Sequence, residues 1–142
     1  MSADLTPLSP AFADVLAQIH ARCFDHPWQA ADFTALLNLP TTQGLIIPEG
    51  FILCSATVDE MEILTFCILT ENRKAGKGSF LLDCVQLYAQ ENTIPTVFLE
   101  VAADNGPALS LYQKKGFSHF ATRPKYYHHT TDALCFKWTW QK

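Results

Sequence analysis

Glu62-Ile63-Leu64-Thr65-Phe66-Cys67-Ile68-Leu69, then Arg73-Lys74-Ala75-Gly76-Lys77-Gly78, then Ser79-Phe80-Leu81-Leu82-Asp83-Cys84-Val85-Gln86-Leu87-Tyr88-Ala89, is the stretch that decides the fold. The first run is apolar and β-branched over the length of a strand. The second is a basic turn with two glycines. In the third, Leu81, Val85 and Tyr88 recur at helical spacing, with Leu82 and Ala89 beside them. The order strand, glycine loop, helix places Gly76 and Gly78 at a helix N-terminus, where unpaired backbone N–H groups and the positive end of the macrodipole favour an anion. Arg73, Lys74 and Lys77 add local positive charge.

Spacing excludes two phosphate loops. A P-loop needs a glycine where Glu71 stands and Ser or Thr where Gly78 stands, and the dinucleotide fingerprint needs a third glycine where Leu81 stands.

The rest of the chain fills in around this unit. Ser9-Pro10 is a helix start, with Phe12, Val15, Leu16, Ile19 and Cys23 on one face, which predicts a helix over 10–23. Asp25-His26-Pro27-Trp28 ends it, and Phe33, Leu36 and Leu37 predict a second short helix. Residues 44–47 and 51–58 read as two strands about a turn at Pro48-Glu49-Gly50, and with the strand from Glu62 they form an antiparallel meander. In 96–101, Val97, Leu99 and Val101 share one face, while Thr96, Phe98 and Glu100 share the other. Asn105-Gly106-Pro107 opens a helix carrying Leu111 and Tyr112 that stops at Gly116. Residues 117–121 and 133–140 read as two closing strands joined by a loop from Arg123 to His129.

The 142 residues fit one domain spanning 1–142, and 49% hydrophobic content is enough for one core. A formal charge of −4, with 17% charged residues, leaves no extended basic surface for a nucleic-acid backbone. Cys23, Cys54, Cys67, Cys84 and Cys135 include no Cys-x-x-Cys pair and read as reduced core residues. No metal is expected, since His128, His129 and Cys135 match no common zinc spacing. The absence of a leader-like N-terminus or a long apolar run predicts a cytoplasmic protein without a membrane contact.

Two motifs together resemble a known family. Arg73-x-x-Gly76-x-Gly78 is similar to the acyl-CoA loop of the GNAT N-acetyltransferase superfamily. Leu99-Glu100-Val101, Asn105 and Leu111-Tyr112-x-x-x-Gly116-Phe117 are similar to the other half of its pattern, at matching spacing. With Trp28 after Pro27 and the pair Tyr126-Tyr127, the chain looks most like the bacterial ribosomal-protein-alanine N-acetyltransferases (RimI type). The resemblance is most specific over 62–127.

It implies an α/β (α+β) fold with a mixed, mostly antiparallel twisted sheet flanked by helices, whose neighbouring strands splay after the meander to admit a pantetheine arm. It implies acetyl-CoA as acetyl donor, held by Arg73, Lys74, Ala75, Gly76, Lys77, Gly78, Ser79 and Asn105, with the strand backbone at Phe66, Cys67 and Ile68 on the carbonyl or pantetheine. Glu100 would be the general base and Tyr112 the general acid. Trp28, Tyr126 and Tyr127 would line a groove for a protein or peptide N-terminus, that of a ribosomal protein in the family compared, and the chain would act as a monomer. Alternatives within reach of the same motifs are a lysine or small-molecule amine as acceptor, or an acyl-CoA-binding domain without catalysis.

Simple acid–base arithmetic favours the α-amine. At pH 7 an amino group of pKa ~8 needs ~1.4 kcal/mol to deprotonate, whereas a lysine of pKa ~10.4 needs ~4.6 kcal/mol. Thr70, Asn72, Ala102 and Gly106-Pro107 depart from residues common in the family, and bear on which acceptor is chosen.

Overall fold

The computed structural model describes residues 4–69, 76–127 and 130–140. Arg73, Lys74, Ala75, His128 and His129, singled out above, lie outside the described residues. A single 3-10 turn, Pro10–Phe12, leads into helix α1, Ala13–Cys23, and then α2, Ala30–Leu37. Strands β1 (Thr42–Ile47), β2 (Gly50–Ala56) and β3 (Glu60–Ile68) follow, then α3 (Lys77–Glu91), β4 (Thr96–Ala102), α4 (Gly106–Lys114), β5 (Ser118–Tyr127) and β6 (Thr131–Thr139).

The expected class is the observed one. Six strands form one sheet in the order β1-β2-β3-β4-β6-β5, and every pairing is antiparallel except β3 with β4. Parallel neighbours need a crossover, which α3 supplies.

Helices cover the sheet on both sides because its central strands are apolar on both faces. In β2, Ile52 and Cys54 join a core with Leu81, Leu82, Val85 and Ala89 of α3 and Tyr112 of α4. Phe51 and Leu53 face the other way, onto Ala13 and Leu16 of α1 and Phe33 and Leu37 of α2. Val97, Leu99 and Val101 of β4 belong to the α3 side, which sends Phe98 and Glu100 to the opposite face.

Two features of β3 shape what lies beside it. Its register with β2 steps from Leu53↔Thr65 to Cys54↔Ile63, so Leu64 is an extra residue. The side-chain phase flips there, with Met61 and Ile63 on the α3 side before the bulge and Phe66 and Ile68 on that side after it. Pairing with β4 is confined to Glu60↔Thr96, Met61↔Val97 and Glu62↔Phe98. The two strands part company beyond Glu62, as the family resemblance implies.

One expectation is corrected. Residues 123–127 were expected in a loop, yet β5 continues through Pro124 to Tyr127. It is the edge strand, so a residue without an N–H costs no interior ladder bond, and the register slips between Arg123 and Tyr127 to accommodate it.

Candidate active site

Several of the singled-out residues gather at the opening between β3 and β4. α3 begins at its mouth. Gly76 is the N-cap, with φ of 80°, and the helix start has no side-chain cap. A Cβ on Gly76 would meet no atom of the described residues within 4 Å. Gly78 has another reason to lack a side chain. A Cβ there would stand 3.1 Å from Leu111 and 3.3 Å from Phe66, so the glycine lets α3 sit close to both α4 and the bulged strand. Lys77 and Ser79 occupy the same first turn, both half-buried.

Phe66, Cys67 and Ile68 lie on β3 past the last residue laddered to β4. Asn105 caps α4, its side-chain oxygen accepting from the Ala108 N–H at 3.3 Å.

Tyr112 and Glu100 flank the opening from different sides of the sheet. Tyr112 is buried on the α3 side, its ring 6.2 Å from Phe66 and 6.0 Å from Phe117. Burial, and then the neighbouring Tyr127, Cys67 and Cys54, push its hydroxyl well above the ordinary phenol range, so it keeps its proton. Glu100 points to the other face, where its Oε1 lies 3.1 Å from Nη2 of Arg123. Tyr127 is the group that senses both. It adds to the upward push on Tyr112, while its own phenol is raised by burial and then by Glu100.

The Glu100 face is a groove of about 390 Å³, lined by Glu60, Glu62, Phe98, Phe120, Arg123 and Cys135 among others. α1 and α2 pack over the β2–β3 side and leave this part of the sheet open. Cys135 is directly opposite Glu100 in the β4–β6 ladder, and burial followed by Glu100 raises its thiol. Tyr126 is 54% exposed and meets Tyr127 edge to face at 5.3 Å.

Trp28 sits apart from that cluster, at the α1–α2 corner. Its backbone N–H donates to Nδ1 of His20, and its ring stacks on His20 and leans on Phe33. Among the described residues, no group of three or more His, Cys, Asp or Glu side chains is placed to hold a metal ion. Nor is any helix long and apolar enough to cross a membrane.

Sequence reading missed Glu62. It precedes the bulge, shares the groove with Glu100, and is raised above the ordinary carboxylate range by burial, then by Glu100 and Glu60. The signal was available, since Glu60 and Glu62 alternate with buried Met61 and Ile63.

The profile of the Acetyltransferase (GNAT) family matches residues 13–117, most of the chain. The protein belongs to the GNAT acetyltransferase family. An uncharacterized protein of Mycobacterium leprae is 31% identical over 131 residues; the match takes in 84% of this chain but only 36% of that longer relative. The [ribosomal protein bS18]-alanine N-acetyltransferase of Escherichia coli K12 is 28% identical over 119 residues, 80% of this chain and 79% of that one. The crystal structure of the Escherichia coli ribosomal-protein-S18-alanine N-acetyltransferase superposes with a TM-score of 0.86 at 20% identity, over 95% of this GNAT chain and 92% of the other. That likeness is one of fold and spans nearly the whole chain, beyond the residues matched by the family profile.

Proposed function

We propose that this acetyltransferase moves the acetyl group of acetyl-CoA onto the N-terminal α-amine of a protein, with a ribosomal protein beginning with alanine as the acceptor class. The observation that carries the reading is the parting of β3 and β4 beyond Glu62, with the uncapped start of α3 at its mouth, Tyr112 on one side and Glu100 on the other. The bS18-alanine acetyltransferase named above, alike over four-fifths of both chains, supports the choice of acceptor.

The residues fit the coenzyme. An exposed left-handed glycine at the start of a 15-residue helix suits a diphosphate, with Lys77 and Ser79 in the same turn and Arg73, Lys74 and Ala75 immediately before it in sequence. Asn105 would meet the coenzyme from α4 while still capping its helix. The edge of β3 at Phe66, Cys67 and Ile68 would carry the pantetheine and the thioester carbonyl. Bound there, acetyl-CoA supplies an activated acyl carbon.

The chain then has to manage two protons. Glu100, with Glu62 beside it, takes the proton of the acceptor's ammonium, freeing the lone pair that forms the N–C bond. As the C–S bond breaks, the sulfur gains a proton from the Tyr112 hydroxyl. The second proton that the nitrogen sheds in becoming an amide restores the Tyr112 hydroxyl by way of solvent, while Glu100 releases the first to solvent. Burial that disfavours a phenolate disfavours a thiolate in the same place, so the pair is better matched than its values in water suggest. Tyr126 and Tyr127 would wall the acceptor's path beside Arg123 and Phe120, whereas Trp28, packed on His20 and Phe33 at the α1–α2 corner, is not part of this groove.

The deciding experiment offers purified protein and acetyl-CoA to peptides with free N-termini, to N-blocked peptides containing lysine, and to small amines. Transfer to free α-amines is expected. Activity confined to blocked lysine peptides would overturn the choice of acceptor, and coenzyme binding without transfer to any of them would leave a binding domain.

A further inference from the structure

The groove sets three carboxylates, Glu60, Glu62 and Glu100, against the guanidinium of Arg123. Arg123 holds Glu100 at 3.1 Å, and its guanidinium carbon also lies 4.9 Å from the centre of the Tyr126 ring. The Arg123 side chain is 54% exposed and that of Glu100 24%. The cation therefore reaches in from solvent to a more sheltered carboxylate. Lys137, whose ladder partner Phe98 is on the same face, is turned onto the Phe120 ring at 5.3 Å. Among the described residues this face also carries the titratable groups Cys135 on β6, Tyr126 and Tyr127 on β5, and Glu60 and Glu62 on β3.

An aliphatic amine arrives at neutral pH chiefly as its ammonium ion and needs a carboxylate that Arg123 already occupies. We infer that Arg123 is a specificity-determining residue whose guanidinium stands in for the acceptor's ammonium on Glu100 and must be displaced before an amine can bind. This rests on the reading that Glu100 meets the acceptor amine.

Displacement costs little in structure. The backbone of Arg123 is fixed by its pairing with Ala133, so only side-chain torsions change, and the Tyr126 ring already offers the guanidinium a second seat. The register slip between Arg123 and Tyr127 is what brings Tyr126 within that reach. Charge balance is kept at each stage. With the ammonium bound, a cation still faces the three carboxylates; once the amine has become an uncharged amide, nothing competes with Arg123 for Glu100. Its return then helps the product leave. The same guanidinium opposes the upward push that burial, Glu100 and Glu60 exert on Glu62, so it acts on the cluster and not on one carboxylate alone.

Binding, read apart from turnover, tests this. A tetrapeptide with a free N-terminal alanine and its N-acetylated twin are titrated calorimetrically, with coenzyme A present so that no acetyl group can move, into the wild type, Arg123→Gln and Arg123→Lys. Removing an exposed competing ion pair should tighten the free-amine peptide about 2- to 5-fold in Arg123→Gln. The acetylated twin should bind both proteins alike, and Arg123→Lys should stay near the wild type. Unchanged or weaker binding of the free-amine peptide to Arg123→Gln, an equal change for both peptides, or no binding of the free-amine peptide to either protein would each overturn the inference. A free-amine peptide that binds as expected yet is never acetylated when acetyl-CoA is supplied counts against the proposed function instead.

Discussion

Nε2 of His20 on α1 lies 3.1 Å from the Thr65 hydroxyl on β3, while Nδ1 of the same ring accepts the Trp28 N–H at 3.1 Å. An N–H can be given only to a lone pair, so Nδ1 is bare and Nε2 carries the proton that Thr65 receives. The neutral ring, stacked 4.3 Å from Phe24, ties the first helix, the bulged strand and the Trp28 corner together.

That tie is sensitive to acid in a definite sense. Burial lowers the His20 pKa from 6.5 to about 4. Between those values the unfolded chain binds more protons than the folded one, so stability rises with pH. The contribution is whole above pH 6.5 and is lost as pH falls toward 4, by about 3 kcal/mol. Urea unfolding of the wild type and His20→Gln across this range should show a less stable variant at pH 7 and a gap that closes by pH 4. A gap independent of pH would show that the imidazole does not act this way.

Gly76 tests the backbone at the mouth of the opening. Its φ of 80° is strained for a residue with a side chain, yet a Cβ would touch no atom of the described residues. Gly76→Ala should therefore cost about 1 kcal/mol from conformation alone, and Gly76→Asn less, because asparagine tolerates that region. Denaturant midpoints decide it. Equal stability of all three proteins would mean that the N-cap shifts to another conformation when substituted.

Glu62 should behave as a residue kept for chemistry at the expense of stability. Burial, Glu100 and Glu60 hold its proton on to higher pH than in the unfolded chain. The sign follows: stability is greatest below the unfolded carboxylate value and declines as pH rises through the folded one. Removing the charge with Glu62→Gln should stabilise the protein at pH 7 by about 0.5 kcal/mol after solvent screening, while lowering kcat/KM for the acceptor about 10-fold or more. A variant both less stable and fully active would reverse this account.

How much of this could be read before folding depends on whether the signal was local. α3 with Gly76 at its start, the meander and the alternation in β4 are short-range patterns, and each appears where the residues place it. The reach of β5 was hidden because Pro124 and the turn-prone residues around it argue for a loop, and only its place at the sheet edge makes a strand tolerable. Gly78 suited a close-approaching phosphate equally well, until the contacts of Leu111 and Phe66 gave it a packing reason. Glu62 was passed over as the start of a strand, since Glu100 and Arg123, which complete its surroundings with the strand neighbour Glu60, come from segments far away in sequence.

Tyr112 carries the last prediction. Its hydroxyl is buried beside Phe66 and pushed to hold its proton, so it serves as a donor and not as a base. Tyr112→Phe keeps the ring, and with it the packing against Phe66 and Phe117, so the fold and coenzyme binding should be little changed. Turnover should fall about 100-fold or more, the usual loss when a positioned proton donor is removed. The split matters more than the size. If the hydroxyl acts on the departing sulfur, kcat drops while the Kd for acetyl-CoA holds; if it only helps seat the coenzyme, Kd rises and kcat at saturation is preserved. Calorimetry for binding and single-turnover kinetics for transfer separate the two, and full activity in Tyr112→Phe would remove the phenol from the mechanism.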